Sequence, residues 1–132
     1  MRIMTRFIVL DAADIDAEAA FWAAVLGGTV RASAQDSAYP DWRDVRVDGE
    51  VVLGVQFAPD HVAPQWPGTA PDRQRQQLHW DLYVARDEVA SACREVSELG
   101  ARLLQRADDP EAADGFHVFA DPAGHPFCIC WG

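Results

Sequence analysis

The order of secondary-structure signals along this chain occurs twice, and this internal repeat restricts the possible folds more than any other feature. In the first half, a β-rich stretch over residues 5–13 ends in a polar turn, where Asp14 or Asp16 can cap a following helix. After a short strand, two further strands meet at Asp48-Gly49, a dipeptide typical of tight hairpin turns. The first half therefore predicts one strand, one helix and three more strands.

The second half repeats this order. A strand is predicted at QLHWDLYV, a helix over Arg86–Leu99, a strand at ARLLQR and a hairpin that turns at DPAG. An offset of 72 residues carries Gly28 onto Gly100, Phe7 onto His79 and Gln56 onto Cys128. The two halves are therefore predicted to be structural repeats of one another.

This pattern predicts an α+β fold in which two βαβββ modules form a cup-shaped mixed sheet with the helices on its outer face. Residues 1–132 are expected to form one domain, with a first module over 1–57, a Pro- and Gln-rich linker over 58–77 and a second module over 78–132. Each module has a helix on only one face of its sheet, so the two bare faces are expected to line a shared cup. The residues leave open whether the paired modules belong to one chain or are swapped between two.

The alternation of side chains along extended strands predicts which residues line that cup. In QLHWDLYV, the residues His79, Asp81 and Tyr83 share the face that points away from the helix, because the residues between them are apolar. In the last strand, Cys128 and Cys130 share one face and the bulky apolar residues share the other.

The charge of the chain narrows its possible partners. Eleven basic residues stand against 21 acidic ones, for a net charge of −10, which repels phosphate backbones and anionic lipids. Nucleic acid and membranes are therefore poor partners, and no apolar run approaches the ~18 residues that cross a bilayer. The three cysteines are expected to be reduced thiols, which predicts a cytoplasmic protein.

Three segments, in this order and spacing, resemble the vicinal oxygen chelate superfamily, which includes glyoxalase I, bleomycin-resistance proteins and extradiol dioxygenases. They are DAADIDAEAAFWAAVLGG, then QLHWDLYV with the following helix and ELGA, then DPAGHPFCICW. The PQWP stretch ahead of QQLHWDL is similar to the glyoxalase-like domain subgroup common in bacteria. The resemblance covers nearly the whole chain and implies the two-module fold with a small-molecule site in the cup.

In metal-dependent members of this superfamily, four side chains, mostly His and Glu, hold one divalent ion. The matching positions here are Phe7, Gln56, His79 and Cys128. Phe7 has no ligand atom and none of the four is a carboxylate, so Mg²⁺ or Mn²⁺ would find few of the oxygen ligands that they prefer. We expect no resident cofactor; if a metal binds, the resemblance implies a zinc-like ion on His79 and Cys128, with help from Asp81 or Cys130.

Six residues are predicted to contact a ligand in the cup, with aromatic surface added by Trp42 and Trp66. They are Phe7, Gln56, His79, Asp81, Tyr83 and Cys128. His79 and Asp81 are the candidate catalytic pair, since a carboxylate in a partly apolar cup can act as a base or orient the imidazole. Plainer roles remain open, namely a hydrogen-bonded structural His79 and an Asp81 paired with an arginine such as Arg46. Trp66 either covers the cup or pins the linker. Cys128 and Cys130 either bind a metal, act as nucleophiles or only pack.

Three functions follow from these features. The first hypothesis is a protein whose cup binds a metabolite or antibiotic-like small molecule without the usual metal. The second is an enzyme, a glyoxalase-like lyase or isomerase or a dioxygenase-related enzyme, with a non-standard metal or acid–base site centred on His79. The third is a structural or regulatory protein whose cup is filled by side chains. A homodimer is expected, because pairing covers exposed sheet edges.

Overall fold

The computed structural model describes residues 1–32, 40–68 and 78–132. The chain divides into a first unit, Met1–His61, and a second unit, Val62–Gly132, each with its own sheet. Residues 69–77 of the predicted linker lie outside the described residues. None of the helices in the described ranges has the length and apolar character that crossing a membrane requires.

The first unit has five elements in chain order. They are β1 (Ile8–Ala12), α1 (Ile15–Val25), β2 (Thr29–Ala32), β3 (Trp42–Val47) and β4 (Glu50–Phe57). The sheet order is β1-β4-β3-β2, with β1 parallel to β4 and the other neighbours antiparallel. The β3–β4 hairpin turns at Asp48-Gly49, where both residues have positive φ, at 50° and 82°. An Asp-Gly pair tolerates this left-handed backbone, as the sequence predicts.

The second unit repeats that architecture. Its elements are β5 (Trp80–Tyr83), a 3₁₀ turn (Arg86–Glu88), α2 (Val89–Glu98), β6 (Arg102–Gln105), β7 (Gly115–Ala120) and β8 (Pro126–Trp131). The sheet order is β5-β8-β7-β6, with β5 parallel to β8. The predicted α+β fold with two βαβββ modules is confirmed.

The start of α1 shows which of two candidate aspartates caps the helix. Asp14 is the N-cap, and its side chain accepts a hydrogen bond from the Ala17 N–H at 3.0 Å. Asp16 instead accepts from the guanidinium of Arg43, a buried residue of β3, at 2.7 Å. The helix is therefore fixed at its start by a cap and by an ion pair to its own sheet.

Aromatic side chains fill the space between α1 and its sheet. Phe21 and Trp22 are almost completely buried, with their rings edge to face at 5.2 Å. Trp22 Nε1 donates to Glu18 Oε1 at 2.9 Å, which gives a partner to a carboxylate that has no exposed surface. Apolar periodicity alone does not identify Glu18 as a buried residue.

The second helix is packed much less closely. Only Val89 and Val96 of α2 are buried, and Leu99, which follows the helix, is 36% exposed. The core of this unit lies mainly on β7 and β8. Its largest members are Phe119, Phe127, Ile129 and Trp131.

The parallel strand pairs correct the predicted offset between the two halves. In the first unit Asp11 pairs with Gln56, and in the second unit Asp81 pairs with Cys128. When Gln56 is matched to Cys128, Asp11 is therefore matched to Asp81. The offset is 72 on the last strand and 70 on the first strand.

The prediction that Phe7 corresponds to His79 is therefore wrong, and the counterpart of His79 is Val9. A strand shifted by two residues presents the same side chains to the same face. For that reason, alternation in the sequence gives the correct face but cannot give the register.

The glycine that ends α1 also differs from the one that the predicted offset matches to Gly100. Gly27 and Gly100 have positive φ, at 65° and 115°, so Gly100 corresponds to Gly27 and not to Gly28. Gly28 is needed for another reason, since a Cβ there would lie 2.4 Å from the carbonyl oxygen of Arg46. Adjacent glycines with two different roles cannot be distinguished in the sequence.

Candidate functional site

One face of the second sheet carries a row of exposed polar side chains. His79, Asp81 and Tyr83 are exposed, whereas Trp80 and Leu82 between them are half-buried. This is the alternation that the sequence predicts for an extended strand. We call the surface around His79, Asp81 and Tyr83 the open face.

The floor beneath the open face is formed by β7 and β8. Its buried cluster consists of Val118, Cys128 and Cys130, against which Trp66 and Leu104 pack. In the β5–β8 register, Asp81 lies beside Cys128 and Tyr83 beside Cys130. The exposed polar row therefore borders two buried thiols.

Trp66 forms a wall of this site. Its ring stacks on His79, with the centroids 5.1 Å apart and the planes inclined by 24°. Together with the open face it encloses a cavity of about 360 Å³, whose lining includes Tyr83 and Phe116. Trp66 is thus packed against the cluster of Val118, Cys128 and Cys130 and also forms part of the cavity wall.

His79 and Asp81 form a polar pair within this cavity. His79 Nε2 lies 3.3 Å from Asp81 Oδ1, and the side chains are 36% and 48% exposed. Arg46, the alternative partner for Asp81, belongs to the first unit, where its Nη2 lies 3.4 Å from Asp44 Oδ2. Asp81 can therefore orient the imidazole of His79 and accept a proton from it.

The neighbouring thiols are held in the protonated form. Burial raises the pKa of Cys128 to about 12, and negative charge on Cys130 and Asp81 together with hydrogen bonds to them acts in the same direction. Burial also raises the pKa of Cys130 to about 11; the charge of Asp81 and a hydrogen bond to it add to this, and a hydrogen bond with Cys128 opposes it. At neutral pH these thiols are hydrogen-bond donors to Asp81 and not thiolate nucleophiles.

Three potential metal ligands converge at the same place. One ligand atom each from His79, Asp81 and Cys128 lie within 4.8 Å of one another. The combination of imidazole, carboxylate and thiol suits a borderline ion such as Zn²⁺ better than Mg²⁺ or Mn²⁺, which prefer oxygen. A tetrahedral zinc ion needs ligand atoms about 3.5 Å apart. Its binding would therefore require small movements and the loss of the Cys128 proton.

Phe7 and Gln56, the other two predicted ligand residues, belong to the first unit. The ring of Phe7 meets Trp42 edge on, with centroids 6.2 Å apart. Trp42 lies across Gly54, where a Cβ would be 2.3 Å from the indole, and it pairs in register with Gln56. Phe7 and Gln56 are thus neighbours of an aromatic surface in their own unit, whereas the other four predicted residues are brought together in the second unit.

Sequence reasoning did not identify Phe116 as a site residue. Phe116 pairs with Cys130 and is 45% exposed, whereas the adjacent His117 is buried on the other face, with Nδ1 accepting from the Ala107 N–H at 3.0 Å. The alternation of Phe116 and His117 was visible in the sequence. Which of them faces the cavity depends on the register with β8, which the sequence does not give.

Comparison with known families and curated proteins gives two matches. A family model described as the glyoxalase-like domain matches residues 7–130. The anthracycline biosynthesis protein DnrV of Streptomyces peucetius is 26% identical over 123 residues, which are 91% of this chain and 44% of that protein. The chain therefore spans less than half the length of this curated relative.

Solved structures with the same fold come from several bacteria. A glyoxalase-related enzyme from Fulvimarina pelagi is 20% identical, with a TM-score of 0.65 over 98% of this chain and 89% of that chain. The fosfomycin resistance protein FosX from Listeria monocytogenes is 14% identical, with a TM-score of 0.68 over 100% of this chain and 93% of that chain. A FosX mutant from the same species, complexed with Mn(II) and 1S,2S-dihydroxypropylphosphonic acid, is 15% identical, with a TM-score of 0.69 over 100% of this chain and 94% of that chain. At these identities the similarity shows the fold alone.

Alkaline pH is expected to destabilise the second unit through its thiols. Cys128 and Cys130 ionise near pH 9.0 when unfolded but only at about 12 and 11 when folded, so above pH 9.0 the unfolded state binds fewer protons than the folded state. The free energy of unfolding should therefore fall with rising pH, by up to about 1.4 kcal/mol per pH unit for each thiol. Urea unfolding followed by circular dichroism at several pH values above 9.0 measures how steeply the free energy of unfolding falls with pH.

The control for this prediction is the double variant Cys128→Ser and Cys130→Ser. Serine does not ionise at these pH values. The variant's free energy of unfolding should therefore lose most of its dependence on pH and keep only the part that other groups cause. An equally steep fall in the variant would contradict the assignment of the effect to these thiols.

Proposed function

We propose that this chain, which belongs to the glyoxalase-like domain family, binds a small molecule on the open face of its second sheet. The observation that carries the proposal is the stack of Trp66 on His79 beside the carboxylate of Asp81. An aromatic wall next to a polar pair suits a small-molecule site, because the apolar surface supplies affinity and the polar groups fix orientation.

The ligand inferred for this site has a planar apolar part and at least one hydrogen-bonding group. Trp66 and Phe116 offer aromatic surface, and Tyr83, at 71% exposure, is accessible to a ligand. His79 and Asp81 offer a donor and an acceptor. The cavity of about 360 Å³ is at the lower end of the roughly 300–1,000 Å³ typical of such sites. One part of a metabolite or antibiotic-like ligand would therefore lie in the cavity and the rest would lie outside it. Because the relative DnrV is named for anthracycline biosynthesis, a fused aromatic ring system is the first ligand to test.

The remaining predicted contacts are assigned as follows. Cys128 is buried, so we assign its protonated thiol the role of holding Asp81 in place. Phe7 and Gln56, which belong to the first unit, stay predicted ligand contacts, to be tested by Phe7→Ala and Gln56→Ala in the binding experiment below.

We further propose that binding at this site does not require a metal. The Asp81 carboxylate already has His79 at 3.3 Å and accepts hydrogen bonds from the buried thiols. A cation would have to compete with these donors and remove the proton from Cys128. Protonated thiols and a paired carboxylate favour a ligand that forms hydrogen bonds.

The convergence of His79, Asp81 and Cys128 favours one other candidate function, a glyoxalase-like lyase or isomerase, or a dioxygenase-related enzyme. These three residues would hold a zinc-like ion, which when bound would polarise a substrate oxygen as a Lewis acid. Without a metal, the same function would rest on His79 moving a proton while Asp81 orients its ring. In both forms, Trp66 would shield the reacting group from water.

A binding titration tests the main proposal. An anthracycline is titrated into the protein and followed by its fluorescence, in wild type and in Asp81→Asn and Trp66→Ala. Both variants are expected to weaken binding about tenfold or more, because one removes a charged acceptor and the other the aromatic wall. Asp108→Asn, which makes the same charge change at an exposed loop position, should change the affinity by less than about twofold. Wild-type affinity in both site variants would show that the ligand does not use the open face.

Metal analysis separates the main proposal from the enzyme candidate. Protein purified without chelator or nickel resin is expected to contain far less than one equivalent of zinc, nickel or manganese by mass spectrometry. One equivalent that disappears in His79→Ala would overturn metal-free binding. Isomerisation of a hemithioacetal by wild type, lost in His79→Ala and Asp81→Asn, would support the enzyme candidate with or without a metal.

We also propose that the chain works as a cytoplasmic homodimer. β1 is an edge strand of its sheet, and its residues Ile8 and Val9 are 45% and 43% exposed. When a second copy of the chain covers an apolar edge strand, that strand can no longer pair with strands of other chains and cause aggregation. The three free thiols fit the reducing conditions of the cytoplasm.

Sedimentation velocity at micromolar concentration is expected to give twice the chain mass of 14.5 kDa. Val9→Lys should shift the protein towards the monomer, because it adds a charge to the exposed edge strand. A species of 14.5 kDa in the wild type would contradict the dimer.

A further inference from the structure

A second and larger cavity lies on the other side of the second sheet, beneath α2. Its volume is about 730 Å³, and its lining comes from α2, the turn before it, and the facing side of β6 and β7. His117 and Phe119 face this side of β7, whereas Phe116 and Val118 alternate with them and face the open side. The cavity therefore shares the sheet with the proposed ligand site but none of its predicted ligand residues.

The cavity results from a difference between the two helices. In α1, Phe21 and Trp22 fill the layer between helix and sheet. Counted back from the helix C-caps, the same positions in α2 are held by Arg94 and Glu95, which are exposed. The second helix therefore has no large apolar side chain to close the layer, and small residues such as Cys93 line the opening.

Cationic groups gather around this opening. Arg86 lies over the ring of Trp131 at 5.2 Å and is 3.8 Å from Glu111. Arg94 and Arg106 also line the cavity, and neither has an ion-pair partner in the described part of the chain. The lining also includes Asp87, Glu98 and Glu111, so its formal charges balance, but Arg94 and Arg106 are not paired with these carboxylates and their guanidinium groups can bind an anion.

His117 adds a directed hydrogen-bond donor. It is only 8% exposed, and its Nδ1 accepts from the Ala107 N–H at 3.0 Å. Burial lowers the pKa of His117, and the charges of Arg106 and Arg86 lower it further, so the ring is neutral at physiological pH. A neutral ring whose Nδ1 accepts a hydrogen bond carries its proton on Nε2. Among the described residues that Nε2–H has no hydrogen-bond partner, and the ring lines the cavity.

We propose that this cavity is a second binding site, which takes a small organic anion with an apolar body. Arg106 and the His117 Nε2–H bind the carboxylate, sulfonate or phosphate group, because a guanidinium and a neutral imidazole N–H together satisfy an anionic oxygen. Leu103 and Phe119, which pair across β6 and β7, contact the apolar body. The volume of about 730 Å³ is within the range of small-molecule sites.

The test uses 8-anilinonaphthalene-1-sulfonate, an aryl anion whose fluorescence rises when it leaves water. Wild type is expected to bind it saturably with one site. Arg106→Gln should weaken that binding about tenfold or more. Arg102→Gln, the same change at the first residue of β6, should alter it less than twofold, because Arg102 does not line the cavity. N-phenyl-1-naphthylamine, which has the same aryl groups without the sulfonate, should bind Arg106→Gln and wild type equally.

A pair of variants at Cys93 tests the location. Cys93→Phe should abolish binding of both dyes by filling the cavity, and Cys93→Ser, which preserves the volume, should leave both affinities within about twofold. Asp81→Asn and Trp66→Ala should not change the affinity for the sulfonate dye. The proposal is overturned if wild type shows no saturable binding, if Arg106→Gln or Cys93→Phe binds like wild type, or if Asp81→Asn abolishes binding.

Discussion

The burial of β8 is the constraint on which the rest of the second unit depends. All six residues of this strand are buried, and it pairs with β5 on one side and β7 on the other. Because successive side chains of a strand point to opposite faces, β8 supplies Cys128 to the open face and Ile129 to the face beneath α2. The floor of the open-face cavity is therefore set by a strand that cannot shift without breaking two hydrogen-bonded ladders.

The two faces of this sheet present different polar side chains to their cavities. On the open face, the carboxylate of Asp81 is held by His79 and by protonated thiols, and Asp114 also lines the cavity. On the other face, Arg106 and the neutral His117 present donors to a cavity that the small residues of α2 leave open. One sheet can thus separate an acceptor site from a donor site, because the backbone between them keeps the two sets of side chains apart.

Much of the fold and part of the site could be predicted from the sequence. The helices, the hairpin at Asp48-Gly49 and the exposure of His79, Asp81 and Tyr83 all depend on local features, namely turn chemistry and the alternation of side chains. The match of Phe7 to His79 failed because a two-residue shift leaves that alternation unchanged.

By itself, the sequence determined the two βαβββ repeats and the face on which the polar residues of β5 lie, because both follow from signals a few residues apart. Only the tertiary structure decided that Trp66 stacks on His79, that Asp81 lies beside Cys128, and that few side chains of α2 are buried. These features join residues distant in the chain or depend on the volume of several side chains at once. Strand register and packing between layers determine such contacts, and neither leaves a local pattern in the sequence.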